Sequence, residues 1–229
     1  MVYDLDGVRN AYQIPTETRR YDSRGNLIAI TDYGGRTCST WYDVLDRKVA
    51  EHDADGYLSE WEYNDAGQLL WHARHAGTVD LPADGQRPVL RMTAMRRETR
   101  HHYDALNRRI ATLVPAQRIG SIDADTGNYR IARADLISRV DYDATGNIVG
   151  ETDARGNRLQ RDYDRRGHKR LEIDASGQVT AWQYDAFGNV TRETRHATLQ
   201  PVRTGAIAAL PPVHADARVR EYAYAGMNR

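Results

Sequence analysis

Short polar and apolar alternations, each closed by a turn signal, run along most of the chain. Residues 26–31, 147–152 and 178–183 are such segments, about six residues long and mixing β-branched, aromatic and polar side chains. Length and mixture predict strands, since a helix needs a longer stretch with a 3.6-residue period. Trp61 with Tyr63, and Trp182 with Tyr184, stand two residues apart. Alternation puts each pair on one strand face, where the rings form a ladder with those of neighbouring hairpins. The opposite face, with Glu60, Glu62, Arg161 and Gln183, is expected to meet water.

The punctuation between strands is periodic. Tyr-Asp, or a close variant, begins at residues 21, 42, 63, 103, 142, 163, 184 and 224, in steps of 21, 21, 40, 39, 21, 21 and 40. The stretch 21–108 recurs as 142–229 at a constant offset of 121, matching Lys48 to Lys169, Trp61 to Trp182, His75 to His196 and Asn107 to Asn228. Four residues after each tyrosine stands Gly25, Asp46, Gly67, Asn107, Gly146, Gly167, Gly188 or Asn228. All are types that tolerate the positive φ of a tight turn. A second series runs from Asp32 to Gly35, Asp53 to Gly56, Asp153 to Gly156 and Asp174 to Gly177. Asp first and Gly fourth is the preference of a type I turn, with the carboxylate accepting from nearby amides. Connections this short join antiparallel strands and cannot cross over to make parallel ones. The fold expected is therefore all-β, a run of consecutive antiparallel hairpins.

Insertions at 72–102, 115–139 and 193–223 break the rhythm and hold every proline except Pro15. Their Ala- and Leu-rich pieces at 90–95 and 206–210 fit short helical turns or lengthened hairpin arms. No linker separates independent domains. Residues 1–229 are expected to be one array, with superrepeats 21–141 and 142–229, the second incomplete. Because another unit starts at Tyr224, the chain is expected to be a piece of something longer.

Composition narrows the function. Hydrophobic residues make up 40%, and mean hydropathy is −0.73. Aromatics are 14 Tyr and 4 Trp against Phe187 alone, so nearly every ring carries a polar tip suited to a half-wet surface. With 32 Lys plus Arg against 32 Asp plus Glu, the formal charge is zero, unlike the basic excess of a nucleic-acid binder. No apolar run approaches the roughly 20 residues that cross a bilayer as a helix, and no signal peptide opens the sequence. Cys38 alone excludes an intrachain disulfide framework and a cysteine zinc site.

Candidate chemistry gives way to structure at each point. The carboxylates recur periodically at turns, whereas a catalytic pair is singular. Asp123, Asp125, Gly127 and Asn128 resemble a calcium loop, but the Gly falls one position early and Ala134 stands where the bidentate Glu belongs. His72 with His75, and His101 with His102, mark the ends of one insertion, yet the sister insertion keeps only His196. The arginines between Arg96 and Arg100 are balanced by Glu98 and are expected on a solvated face. Cys38 has no histidine at an obvious partnering distance. No catalytic residue, metal or cofactor is therefore expected. The residues singled out are turn glycines, and Trp61, Tyr63, Trp182 and Tyr184 as a stacking surface for sugar rings.

The units reading Tyr-Asp-x-x-Gly-Asn at Tyr21, Tyr142 and Tyr184 resemble the tyrosine-aspartate (YD) repeats of the Rhs family. That resemblance implies β-hairpins wound as a spiral sheet into a hollow shell enclosing a toxin or other polypeptide cargo. It also implies a secreted or cell-surface protein, with relatives in bacterial competition and adhesion. The family's self-cleaving core segment has no counterpart here, so no catalytic residue is carried over. Expected partners are the rest of the shell and its cargo. The alternative is a cell-surface carbohydrate-binding or adhesion module. Because one superrepeat copies the other, head-to-tail self-association is expected as well.

Overall fold

A computed structural model describes residues 16–82, 86–88, 95–123, 125–202, 207 and 215–224. Among the described residues there are fifteen strands and no helix. The strands are β1 Thr18–Tyr21, β2 Leu27–Thr31, β3 Thr37–Tyr42, β4 Lys48–His52, β5 Tyr57–Tyr63, β6 Leu69–Thr78, β7 Arg96–Tyr103 and β8 Arg109–Ile122. They continue with β9 Tyr129–Tyr142, β10 Ile148–Thr152, β11 Arg158–Tyr163, β12 Lys169–Ile173, β13 Val179–Tyr184, β14 Val190–Arg195 and β15 Arg218–Glu221. Sheet order is sequence order, β1 through β15, and the recorded pairings are antiparallel. The chain divides into two compact units, residues 1–99 and 100–229, a boundary that does not coincide with the superrepeat at 141/142.

The insertion at 115–139 is a lengthened hairpin arm, carried by the two 14-residue strands β8 and β9. Residues 90–94, 206 and 208–210 lie outside the described residues, as does Asn228.

Each unit buries one sheet face. In the first, Ala50, Leu58 and Ala73 are buried together with His52, Glu60 and His75. In the second, Leu171, Ile173 and Val179 form the core, with Ala181, Val202 and Ile207 packed against them. Burying a side chain the size of Leu58 or Leu171 stabilises by roughly 1.5–3 kcal/mol. The residues are equivalent at the 121-residue offset, so the same face is covered in both. An insertion does the covering: Val79 N donates to the Gly56 carbonyl at 2.8 Å, and its counterpart Gln200 N to the Gly177 carbonyl at 2.8 Å.

Two expectations about faces are corrected. Glu60 does not meet water; it is buried, because sequence alternation identifies its face but not the insertion lying over it. Arg161 opposes Glu172, and Glu172 opposes Thr180, so Arg161 lies on the face of Trp182 rather than the opposite one. Glu62 and Gln183 are exposed as expected.

Candidate functional site

One turn geometry serves both series. In the first YD hairpin, Asp22 N donates to the Asn26 carbonyl at 2.9 Å and Gly25 N to the Asp22 carbonyl at 3.2 Å. This is a three-residue loop ending in a left-handed residue. Gly25, Gly35, Gly56, Gly67, Gly146, Gly156, Gly167, Gly177 and Gly188 all have positive φ, and Asp46 and Asn107 take that position at φ 60 and 64. The leading carboxylate completes the loop. Asp143 Oδ1 accepts from Thr145 N at 2.9 Å and Asn147 N at 2.8 Å, while Oδ2 accepts from Asn147 Nδ2 at 2.9 Å. Partial desolvation raises the Asp143 pKa, but the Asn147 amide, the Thr145 hydroxyl and both backbone N–H groups outweigh it, lowering it to about 2. Asp22, Asp153 and Asp185 are lowered chiefly by the side chains of Asn26, Asn157 and Asn189, and Asp164 by the His168 N–H.

The YD hairpins carry a second feature that the hairpins at Asp32, Asp53, Asp153 and Asp174 lack. Tyr21 opposes Leu27 while Arg20 opposes Ala29, leaving Ile28 as an extra residue. Six further hairpins repeat the bulge seven residues after the tyrosine, at Val49, Leu70, Ile110, Val149, Arg170 and Thr191. The hairpins at Asp32, Asp153 and Asp174 pair without a shift. A bulge bends its strand and increases the local twist.

At the bulged end, the ladder to the next strand stops early, and the next tyrosine replaces it. The β10–β11 ladder ends at Gly150 opposite Gln160, and beyond it Tyr163 Oη donates to the Ile148 carbonyl at 3.1 Å. The same bond joins Tyr42 to Leu27 at 3.2 Å, Tyr142 to Arg109 at 3.2 Å, Tyr184 to Lys169 at 2.7 Å and Tyr224 to Val190 at 3.0 Å. Every acceptor stands six residues after the preceding repeat tyrosine. Guanidinium groups tie the turns as well: Arg47 Nη1 donates to the Asn64 carbonyl at 3.0 Å, Arg108 to Asp143 at 3.1 Å and Arg166 to Ala186 at 3.1 Å. Sequence reading assigned the tyrosines a wet surface. Their regular spacing along the chain was visible, but spacing alone identifies neither the bulge nor a carbonyl acceptor.

The bulge also rearranges the aromatic face. One extra residue at Val49 inverts the side-chain alternation, bringing Lys48 over Trp61, with Nζ 4.2 Å from the ring centroid, and into an ion pair with Glu51 at 2.8 Å. At the equivalent positions, Lys169 lies 4.3 Å over Trp182 and pairs with Glu172 at 2.9 Å. His72 stacks on Trp61 at 4.9 Å, Arg47 covers Tyr63 at 4.8 Å, and His168 stacks on Tyr184 at 4.7 Å. The four residues expected to stack on sugars therefore already carry protein groups on a ring face.

The covered face of the first unit is polar where that of the second is apolar. His75 Nε2 donates to Glu60 Oε2 at 2.7 Å, and Arg87 of the insertion donates to Glu60 Oε1 at 2.6 Å. His52 Nε2 donates to the Val79 carbonyl at 2.7 Å. The counterparts of His52 and Glu60 are Ile173 and Ala181. Burial pushes the Glu60 carboxyl up, and the bonds from His75 and Arg87 more than reverse it, leaving it below the ordinary glutamate range.

The remaining candidates fall into place as structure. Cys38 is half-buried on β3, and desolvation followed by the charges of Glu51 and Asp53 raises its thiol pKa, contrary to what a nucleophile needs. Asp123 Oδ1 caps its own turn, accepting from Thr126 N at 2.9 Å and Thr126 Oγ1 at 2.8 Å. Glu98 is buried and pairs with Arg96 at 2.8 Å, while Arg96 covers Trp71; the expectation of a solvated face fails there because Trp71 and the paired charges pack together. Among the described residues, no group of three or more His, Cys, Asp or Glu is placed to hold a metal.

The RHS Repeat family model matches residues 21–58 and 168–197. No curated protein matches the chain. Similar solved structures include TcdB2-TccC3-Cdc42, at 16% identity and a TM-score of 0.33, and TcdB2-TccC3 without its hypervariable C-terminal region, at 15% and 0.33. The Photorhabdus luminescens Tc holotoxin pore with a TccC3 mutation is similar at 16% and 0.31. Each likeness covers 79% of this chain and 11% of the other, so the chain spans about a tenth of their length. The chain is thus an array of consecutive antiparallel hairpins that contains RHS repeats.

Proposed function

We propose that this array is a wall segment of a secreted or surface-exposed shell that encloses a polypeptide, and that it performs no catalysis. The observation that carries the reading is the recurrence of one bulged, tyrosine-tied hairpin. A bend repeated with the same sense at every second connection makes a sheet curve, and the bonds between turns hold successive hairpins at a fixed spacing. The turn carboxylates support the non-catalytic part, since each is engaged by its own loop. Sheet edges that continue into further repeats would make the rest of the shell the chain's first partner and a cargo its second.

The glycan-binding alternative has weaker support, because Lys48 and Lys169 already lie over the rings that would receive a sugar. Protease protection of the full-length protein separates the readings. Enclosure predicts an internal polypeptide that resists digestion until the wall is opened with denaturant. Equal susceptibility throughout, or retention on immobilised glycans that is lost in Trp61→Ala and Trp182→Ala, would overturn it.

A further inference from the structure

The β8–β9 hairpin has more strand than its neighbours can pair. β7 pairs with β8 from Tyr103 opposite Arg109 to Arg100 opposite Leu113, and β10 pairs with β9 from Tyr142 to Arg139. Beyond those positions, the two strands continue together to Ile122 opposite Tyr129. Among the described residues, the outer edges of this arm have no strand partner. The arm is set off from the sheet by a register shift between Val114 and Gln117. There Ala116 adopts φ 52, and its N–H donates to Asp135 Oδ1 at 2.9 Å. A non-glycine residue in the left-handed region stores strain, and strained bulges re-aim side chains at functional places.

One face of the arm carries Ile122, Tyr129 and Ile131, exposed at 72%, 69% and 53%. On that same face Arg118 directly opposes Arg133, and both are exposed. Like charges facing across a ladder are unfavourable. The arm's own carboxylates do not relieve them: Asp123 caps its turn and pairs with Arg130 at 3.3 Å, and Asp135 holds the bulge. An isolated two-stranded ribbon is marginal in water.

We infer that this arm is a docking site for an extended polypeptide segment that carries acidic and apolar residues on one and the same strand face, pairing along a free edge with its carboxylates at Arg118 and Arg133 and its apolar side chains at Ile122, Tyr129 and Ile131. A second copy of the same face is disfavoured, since it would set four guanidinium groups together. This inference does not depend on the shell reading, since it concerns one surface and its ligand. The test is fluorescence anisotropy with a labelled ten-residue peptide that carries Glu and Val together on one strand face and Thr at every second position, against a control with Lys in place of Glu. The Glu peptide should bind, and R118E with R133E should weaken it about tenfold or more while allowing the Lys peptide to bind. A second variant, Ile122→Ser with Ile131→Ser, should weaken both. Absence of binding, equal binding of the two peptides, or charge reversal without effect would overturn the inference. So would light scattering that shows the arm occupied by another copy of the chain.

Discussion

At the scale of the residue, the left-handed turn position and the leading carboxylate set the geometry, and each makes a separable prediction. Gly146 has φ +95 with open space where a Cβ would stand, whereas at Gly177, φ +85, a Cβ would lie 2.6 Å from the Gln200 carbonyl oxygen. Gly146→Ala is expected to cost about 1–2 kcal/mol, the penalty of the left-handed region. Gly177→Ala should cost more, because the covering insertion must move as well. Urea melts of the two variants check the order, and equal losses would show that the insertion is not held there. The carboxylates predict a pH window. Their folded pKa values lie below that of an unfolded Asp, near 3.9, so the stability they confer is complete above about pH 4. It is lost as pH falls toward the folded value of Asp143, about 2. The melting midpoint should therefore drop between about pH 4 and 2, with a shallower slope in Asp143→Asn. A midpoint that stays flat through that window would contradict the assignment.

At the scale of the element, the polar cover of the first unit is the part most open to test. Removing the Glu60 carboxylate leaves buried His75 and the Arg87 guanidinium without their partner, a loss of roughly 1–3 kcal/mol in Glu60→Ala. Its counterpart in the second unit is already Ala181, so a neutral result would mean that the two covers are interchangeable. Glu60 also marks where sequence stopped being informative. Strand alternation separated its face from that of Trp61 correctly. What lies over that face depends on an insertion with no periodicity of its own. The hairpins and their turns were legible because glycine, aspartate and asparagine recur at fixed spacing. The bulges at Ile28, Val49 and Val149 were not, because the extra residue is an ordinary strand former and leaves no compositional mark. Missing them hid the approach of Lys48 to Trp61, whereas Arg161, two residues before Tyr163 as Trp61 is before Tyr63, could be placed on the aromatic face by alternation alone.

At the scale of the molecule, repetition is the organising fact: a tyrosine hydroxyl from one hairpin meets the carbonyl beside the bulge of the hairpin before it. In a quasi-one-dimensional array, each unit is stabilised by its own contacts and by those with its nearest neighbours. Loss of one such bond should loosen the sheet locally. Removing a single neutral hydrogen bond weakens stability by about 1 kcal/mol, enough to register in amide exchange of marginal strands. The most direct test is hydrogen exchange of Tyr163→Phe beside the unmodified protein. The account predicts faster exchange confined to β10, β11 and β12, with β2 to β5 unchanged. Unaltered exchange at β10 to β12, or a uniform rise along the whole chain, would contradict it.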